Sequence, residues 1–303
     1  KWIEEKKTLV PQLKPHYQET ANNNLKLCEQ QLEKMQKGLQ AINEDPHIKK
    51  AFLYANYSIL LQMHMGRTVR EPLHLSPEGK INYSREYQNP EDALDQPKYS
   101  WRPFQIGFIL SSLTSFAEQS THFSLDQRKD IDLIFFPTGG GKTETYLALI
   151  AYSSFYRKLI NIDDKGVNVI MRYTLRLLTT QQFERASSLI CAMEYIRKKN
   201  ETILGKNKFG IGSWVGNEVT PGKRTDSKTL LKNIVSERFQ QSKQSFLLSS
   251  CPWCKAQFKR YKLNKISQIS EDGKVPSKFE LDEFKGVVQL GNRTAFQCPD
   301  REC

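Results

Sequence analysis

Apolar positions along residues 1–65 recur at helical steps. Leu25, Cys28, Leu32, Met35, Leu39 and Ile42 are spaced three, four, three, four, three, the seam of a coiled coil. Pro46 closes that run, and Phe52–Met65 supplies a second apolar helix. The seam lasts under three heptads, which suits the core of a helix pair better than a dimerisation zipper. Residues 66–99 carry Pro72, Pro77, Pro90 and Pro97 among polar neighbours and read as an irregular linker. From Trp101 the period changes. Phe104–Phe116 predicts a buried helix, and Asp130–Phe136 a short strand that runs straight into Pro137-Thr138-Gly139-Gly140-Gly141. A helix over Thr143–Leu159 follows, then a strand over Val167–Met171. Next comes a long helix in which Leu175, Leu178, Gln182, Ala186, Leu189, Met193 and Ile196 recur at steps of three and four. Strand, turn, helix, strand, helix is the order of a parallel α/β sheet.

Charge and cysteine content narrow the class. The 303 residues carry a net charge of +12. Residues 1–150 hold 18 basic and 18 acidic side chains and residues 151–303 hold 27 and 15, so the whole excess lies in the second half. A one-sided excess points to a polyanionic partner, nucleic acid first, against the alternative of an ordinary solvated lysine surface. No apolar run reaches the ~18–20 residues of a membrane span, and residues 1–30 are polar throughout, so neither a membrane nor a secretory signal is expected. Six cysteines are too few for a secreted disulfide scaffold, which predicts a reducing, cytoplasmic setting. Cys28 and Cys191 lie within helical patterns and read as buried and inert. The chain opens on Lys1 and closes on Cys303, and we expect it to be a piece of a longer protein.

The strongest motif is Phe135-Phe136-Pro137-Thr138-Gly139-Gly140-Gly141-Lys142-Thr143-Glu144. Glycines let successive backbone N–H groups converge on an anion, and the following helix adds its positive dipole end. Lys142 would reach the β- and γ-phosphates of ATP, and the Thr143 hydroxyl would ligate Mg²⁺. The strict form of the loop has Gly where this chain has Phe136. The bland alternative is a glycine turn followed by a chance Lys-Thr pair.

This loop resembles motif I of superfamily 2 helicases, with Gly139, Gly141, Lys142 and Thr143 matching. Trp101-Arg102-Pro103-Phe104-Gln105 is similar to the family's upstream element, whose Gln reads the adenine edge. That resemblance implies Arg102 and Gln105 beside the nucleotide, with Thr138, Gly140 and Glu144 completing its surroundings. Val169–Gln182 sits where the family grips the phosphodiester backbone, implying Arg172, Thr174 and Arg176 as DNA-phosphate contacts. Together with Ala55–Gln62, Glu144-Thr-Tyr-Leu and Met171–Thr179, these segments resemble the large helicase subunit of DISARM phage-defence systems over roughly residues 50–200. The family's acidic Mg²⁺-holding box has no match after residue 200. Leu281-Asp282-Glu283-Phe284 has the acids in a lysine-rich, polar context, and we expect the box and the second helicase lobe beyond Cys303.

Four cysteines form two close pairs, Cys251-Pro-Trp-Cys254 and Cys298-Pro-Asp-Arg-Glu-Cys303. Two such knuckles can set four thiolates about Zn²⁺. The rival reading is redox, because Phe246–Phe258 resembles a glutaredoxin motif. It leaves Cys298 and Cys303 unexplained, with 49 residues too short a remainder for that fold. The expected architecture is thus a helical domain and linker over 1–98, part of a RecA-like parallel-sheet lobe over 99–245, and a zinc-binding insertion over 246–303. The resemblance implies ATP-driven DNA translocation or unwinding beside other subunits of a defence complex. A non-catalytic DNA clamp using ATP only as a conformational ligand is the alternative. A phosphate-loop kinase would need neither Gln105 nor its element.

Overall fold

A computed structural model describes residues 1–66, 68–95, 99–129, 131–135, 139–173, 176–216, 220–236, 246–264 and 280–303, with backbone alone at 127, 176–179, 264 and 280. The chain divides into two units that do not follow chain order. One comprises Lys1–Ile59, Lys98–Ile170 and Tyr195–Lys208; the other comprises Leu60–Pro97, Met171–Glu194 and Phe209–Cys303.

The first unit is helical. Helix α1 spans Trp2–Leu9, α2 Pro15–Glu44 and α3 Pro46–Met65, the last contributing to both units. Pro46 ends α2 and starts α3, because proline lacks an N–H and its ring fits only a helix's first turn. Asp45 caps α3: its carboxylate accepts the N–H groups of His47 and Ile48 at 2.8 and 3.1 Å and the Ser120 hydroxyl at 2.6 Å. Burial pushes the Asp45 pKa up, but these hydrogen bonds outweigh it and hold the group below the usual carboxylate range.

The predicted seam of α2 is only half inward. Leu25 is buried and Met35 and Ile42 are partly so, while Cys28, Leu32 and Leu39 face solvent. The packed stripe runs instead through Leu25, Gly38 and Ala41. Its contact is α5, Pro103–Phe116, which crosses so closely that a Cβ on Gly38 would lie 1.9 Å from the Leu110 carbonyl oxygen. Glycine alone permits that approach, and this sets the rotation of α2. Helix α7, Lys142–Ile160, also packs on α5: Tyr152 Oη donates to the Leu113 carbonyl at 3.2 Å, and Leu147, Ala151 and Phe155 of α7 are buried. The short helices α6 (Leu125–Lys129) and α9 (Glu201–Leu204) complete this unit.

The second unit is mixed. Residues 66–99 are not uniformly irregular: β1 (Pro72–Leu75) pairs antiparallel with β2 (Ile81–Tyr83), and α4 spans Asp92–Asp95. Helix α8, Arg176–Lys199, contributes to both units, and α10 spans Arg224–Val235. Strands β3 (Lys259–Asn264) and β4 (Glu280–Lys285) form a second antiparallel pair, and β5 (Val287–Leu290) and β6 (Arg293–Phe296) a third. Leu75, Tyr261 and Leu263 are buried together, with Ile81, Tyr83 and Leu281 packed against them. The proline-rich stretch and the C-terminal strands therefore share one core.

Among the described residues no parallel sheet forms. All three strand pairs are antiparallel, and the one parallel link is the isolated bridge between Arg70 and Ala256. The two segments expected to carry the sheet have no regular structure at 131–135 and 167–171. Ile131, Leu133 and Phe135 are 97%, 88% and 91% exposed. A parallel strand is stable only when paired along its edges and covered on both faces. An apolar run specifies the need for burial but not the partner that supplies it.

Candidate nucleotide and metal sites

The glycine loop enters α7 through two left-handed residues. Gly139 has φ +81° and Gly141 φ +88°, values that cost an L side chain roughly 1–2 kcal/mol. Gly141 is the N-cap of α7, so Lys142 and Thr143 are the first helical residues, both half-buried. Orphan N–H groups and the positive end of the helix dipole coincide there, which is what a phosphate group requires. Tyr146 Oη lies 3.1 Å from Thr143 Oγ1, one turn further on. Thr138 lies outside the described residues.

The N-terminus of α5 meets the loop's other side. Pro103 occupies the first helical turn, and Gln105 reaches back to accept the Arg102 N–H on Oε1 at 2.9 Å, half of a capping box. The same amide donates from Nε2 to the Gly141 carbonyl at 2.9 Å. Thr145 Oγ1 donates to that carbonyl at 3.2 Å, and Arg102 donates to the Gly140 carbonyl at 3.3 Å. Gln105 is buried. Trp101, beside it in sequence, donates its indole N–H to Asn56 Oδ1 at 2.6 Å. Two segments singled out by the sequence, Ala55–Gln62 and Trp101–Gln105, are thus joined by a side-chain hydrogen bond.

The four cysteine sulfurs converge, all within 4.8 Å of one another. Neighbours come from opposite knuckles: Cys251 Sγ is 3.8 Å from Cys303 Sγ, and Cys254 Sγ is 3.4 Å from Cys298 Sγ. A tetrahedral site with metal–sulfur bonds of about 2.3 Å has its sulfurs about 3.8 Å apart. These four thiols can hold a metal ion. Cys251 and Cys254 are buried, Cys298 is half-buried and Cys303 exposed. Hydrogen bonds from the other thiols, Cys254 first, drive the Cys251 pKa down, whereas Cys298 and Cys303 are pushed up by their bonds to Cys251. Four thiolates this close repel one another unless a cation sits among them. The redox reading, built on Cys251 and Cys254 alone, has no use for the second pair.

A polar frame surrounds the cluster that the sequence did not reveal. Lys255, at φ +62°, turns the first knuckle; its N–H bonds the Cys251 carbonyl and its own carbonyl accepts the Arg70 N–H, at 2.9 and 2.8 Å. Arg70 is buried with Asp300, donating to it at 2.7 Å, and stacks 4.6 Å from the Tyr83 ring centroid. Burial alone would lower the Arg70 pKa, and the Asp300 bond reverses the shift. Trp253 donates to Tyr87 Oη at 3.1 Å, and Lys80 pairs with Glu302. Sequence proximity gives no hint of these pairs, because each joins residues 68–87 to a knuckle far along the chain. Cys191 is half-buried, and burial pushes its thiol up to about 12; Cys28, expected inside, is exposed.

Of the three residues implied on DNA, Arg172 is exposed, Thr174 lies outside the described residues, and Arg176 opens α8 with its side chain undescribed. Asp282 and Glu283 serve the β3–β4 hairpin: Asp282 takes Arg260 at 2.7 and 3.1 Å across the ladder, and Glu283 pairs with Lys285. Among the described residues no helix is long and apolar enough to cross a membrane.

The geometry therefore defines a glycine turn suited to an anion and a four-thiol cluster suited to a metal. No family model matches the chain. It is similar to the DISARM protein DrmA of Bacillus paralicheniformis, 32% identical over 258 residues, an alignment covering 80% of this chain and 21% of the relative. The chain spans about a fifth of the length of the curated relative it matches. The resemblance to a DISARM component first read from residues 50–200 thus extends over most of the chain.

Proposed function

We propose that the chain is part of an ATP-driven DNA helicase or translocase subunit of a bacterial phage-defence complex acting in the cytoplasm. The carrying observation is the left-handed Gly139/Gly141 turn that delivers Lys142 and Thr143 at the N-terminus of α7. Similarity to a DISARM protein supplies the setting. In this reading the loop from Thr138 to Glu144 receives the triphosphate. Lys142 would neutralise the β- and γ-phosphates and the Thr143 hydroxyl would hold Mg²⁺, which when bound would supply electrostatic stabilisation of the transferring phosphoryl group. The surrounding fold would be a RecA-like lobe once strands 130–136 and 167–171 gain partners. Arg172, Thr174 and Arg176 would carry DNA phosphates. Cys251, Cys254, Cys298 and Cys303 would hold one Zn²⁺ as a structural fastener for the basic lobe. Other subunits of the complex would be its protein partners.

The test is turnover by the full-length protein. ATP hydrolysis stimulated by DNA and abolished in Lys142→Ala supports the enzyme. A second reading is an ATP-regulated DNA clamp: Asp282 and Glu283, the acids that most resemble the Mg²⁺-holding box, are engaged by Arg260 and Lys285, so the enzyme requires a box outside this stretch and the clamp does not. Full-length protein that binds ATP through Lys142, and binds DNA, without any turnover would establish the clamp. Full-length protein that binds no nucleotide sinks both.

A further inference from the structure

We infer that the metal centre reaches beyond its four thiols: Arg70 is a positioning residue that ties residues 68–87 to both cysteine knuckles, so that metal binding and the folding of the β1–β2 hairpin are one event. The inference rests on the zinc reading above. The backbone of Arg70 seats on the first knuckle. Its N–H donates to the Lys255 carbonyl at 2.8 Å and its carbonyl accepts the Gln257 N–H at 3.1 Å, on either side of Ala256. Ala256 in turn closes that knuckle, its carbonyl accepting the Cys251 N–H at 2.9 Å. The side chain of Arg70 reaches the second knuckle. Nη1 donates to Asp300 Oδ2 at 2.7 Å, and Asp300 Oδ1 accepts the Glu302 N–H at 3.0 Å, within the turn between Cys298 and Cys303. Nε donates to the Arg85 carbonyl at 2.9 Å, just past β2, and the Ser84 N–H bonds the Glu71 carbonyl at 2.7 Å beside it. One buried residue therefore touches the hairpin and both metal-binding turns.

Metal ligands are held by the groups around them as well as by the ion. Four thiolates about one Zn²⁺ leave an excess of negative charge, and Asp300 brings a buried carboxylate to the same cluster. The guanidinium answers both, because it bonds Asp300 and is also drawn to the Cys254 sulfur. Without Arg70 that carboxylate would stand buried near thiolates that repel it, and both knuckles would lose this link to the hairpin. The Lys80–Glu302 pair spans the same two segments, but both side chains are about half exposed, and such a pair contributes little.

Competition between full-length protein and a chromophoric chelator gives the Zn²⁺ affinity, and hydrogen exchange with and without Zn²⁺ reads the backbone of residues 70–85. Loss of an outer-shell partner lowers metal affinity by about 10–100-fold, and Arg70→Met is expected to fall in that range. Arg70→Met/Asp300→Asn should regain part of the loss, and Lys80→Ala should stay within about twofold of wild type. Stripping Zn²⁺ from the wild type should remove protection at 70–85 together with the knuckles, while α2 and α5 keep theirs as the control for global unfolding. Wild-type Zn²⁺ affinity in Arg70→Met would overturn the positioning role, and so would an equal loss in Lys80→Ala. Protection at 70–85 that ignores the metal while the knuckles open would overturn the coupling; this arm needs no variant, so it decides even where Arg70→Met fails to fold. Wild-type protein that binds no Zn²⁺ removes the zinc reading itself, and the inference with it.

Discussion

Gly38 offers the sharpest test of how the glycine loop is held. Helix α5 carries Gln105, with Arg102 as its N-cap, and its position is set where it crosses α2. A Cβ on Gly38 would sit 1.9 Å from the Leu110 carbonyl oxygen and 2.9 Å from its carbonyl carbon. Ordinary contact begins near 3.4 Å, so Gly38→Ala must push α5 away by about 1.5 Å or distort α2. Forcing extra volume into a packed contact costs roughly 1–3 kcal/mol, against a gain of about 1 kcal/mol from replacing glycine within a helix. Because the clash is with backbone atoms of Leu110, the upper part of that range, about 2–3 kcal/mol, applies, and the net expectation is destabilisation by about 1–2 kcal/mol. Gly107 is the internal control. It lies on α5 itself, and its Cβ would meet only the Met35 sulfur at 3.4 Å and its methyl carbon at 3.7 Å. Gly107→Ala should therefore stabilise by about 0.5–1 kcal/mol through propensity alone. Urea unfolding reads both as shifts in midpoint at constant slope. Because the Gln105–Gly141 bond spans only 2.9 Å, a displaced α5 should also weaken triphosphate binding in Gly38→Ala and leave Gly107→Ala unchanged. Gly38→Ala protein as stable as wild type would refute the packing argument outright.

Other outcomes follow from the cluster, the cap and the basic surface. The protein should contain about one zinc per chain, released in Cys251→Ser or Cys254→Ser; metal analysis finding none, with a reversible Cys251–Cys254 disulfide instead, would favour the redox reading. Arg70→Met leaves Asp300 buried without its cation and should cost about 3–5 kcal/mol, while the double variant with Asp300→Asn should recover part of it; equal single and double losses in thermal unfolding would show that the pair is not coupled. Asp45→Ala should cost about 1 kcal/mol through the lost α3 cap. Since the folded Asp45 pKa is depressed, its contribution is complete above the unfolded carboxylate pKa and fades as pH falls through the folded value; stability that is flat across that acid range, compared with Asp45→Ala, would count against it. Arg172→Ala should weaken DNA binding uniformly across sequences and make the log affinity–log salt slope shallower by about 0.7–0.9. Lys259, which faces Glu71 at 3.9 Å, is the control; an equal loss in Lys259→Ala would remove Arg172 from the DNA path.

The sequence by itself determined the helices, the glycine loop and the identity of the four thiols. Periodic apolar positions placed α5, α7 and α8 within a few residues, and Pro46 marked the α2–α3 break. These features are local: a helix satisfies its own backbone, and a glycine with positive φ needs no partner to be readable. Tertiary structure decided what depends on contact. The α2 seam looked right by spacing, yet Gly38 turned it so that Leu32 and Leu39 face water, because the closest helix approach outranks a short heptad pattern. The runs at 130–136 and 167–171 read as strands from composition, but a strand exists only with a neighbour to bond, and no spacing rule names that neighbour. Arg70 sat in an apparent linker, and nothing in its surroundings foretold Asp300, 230 residues away. Gln105 was legible as a residue, but its bonds to the Arg102 N–H and the Gly141 carbonyl were not, since an amide's partners are set by contact and not by spacing.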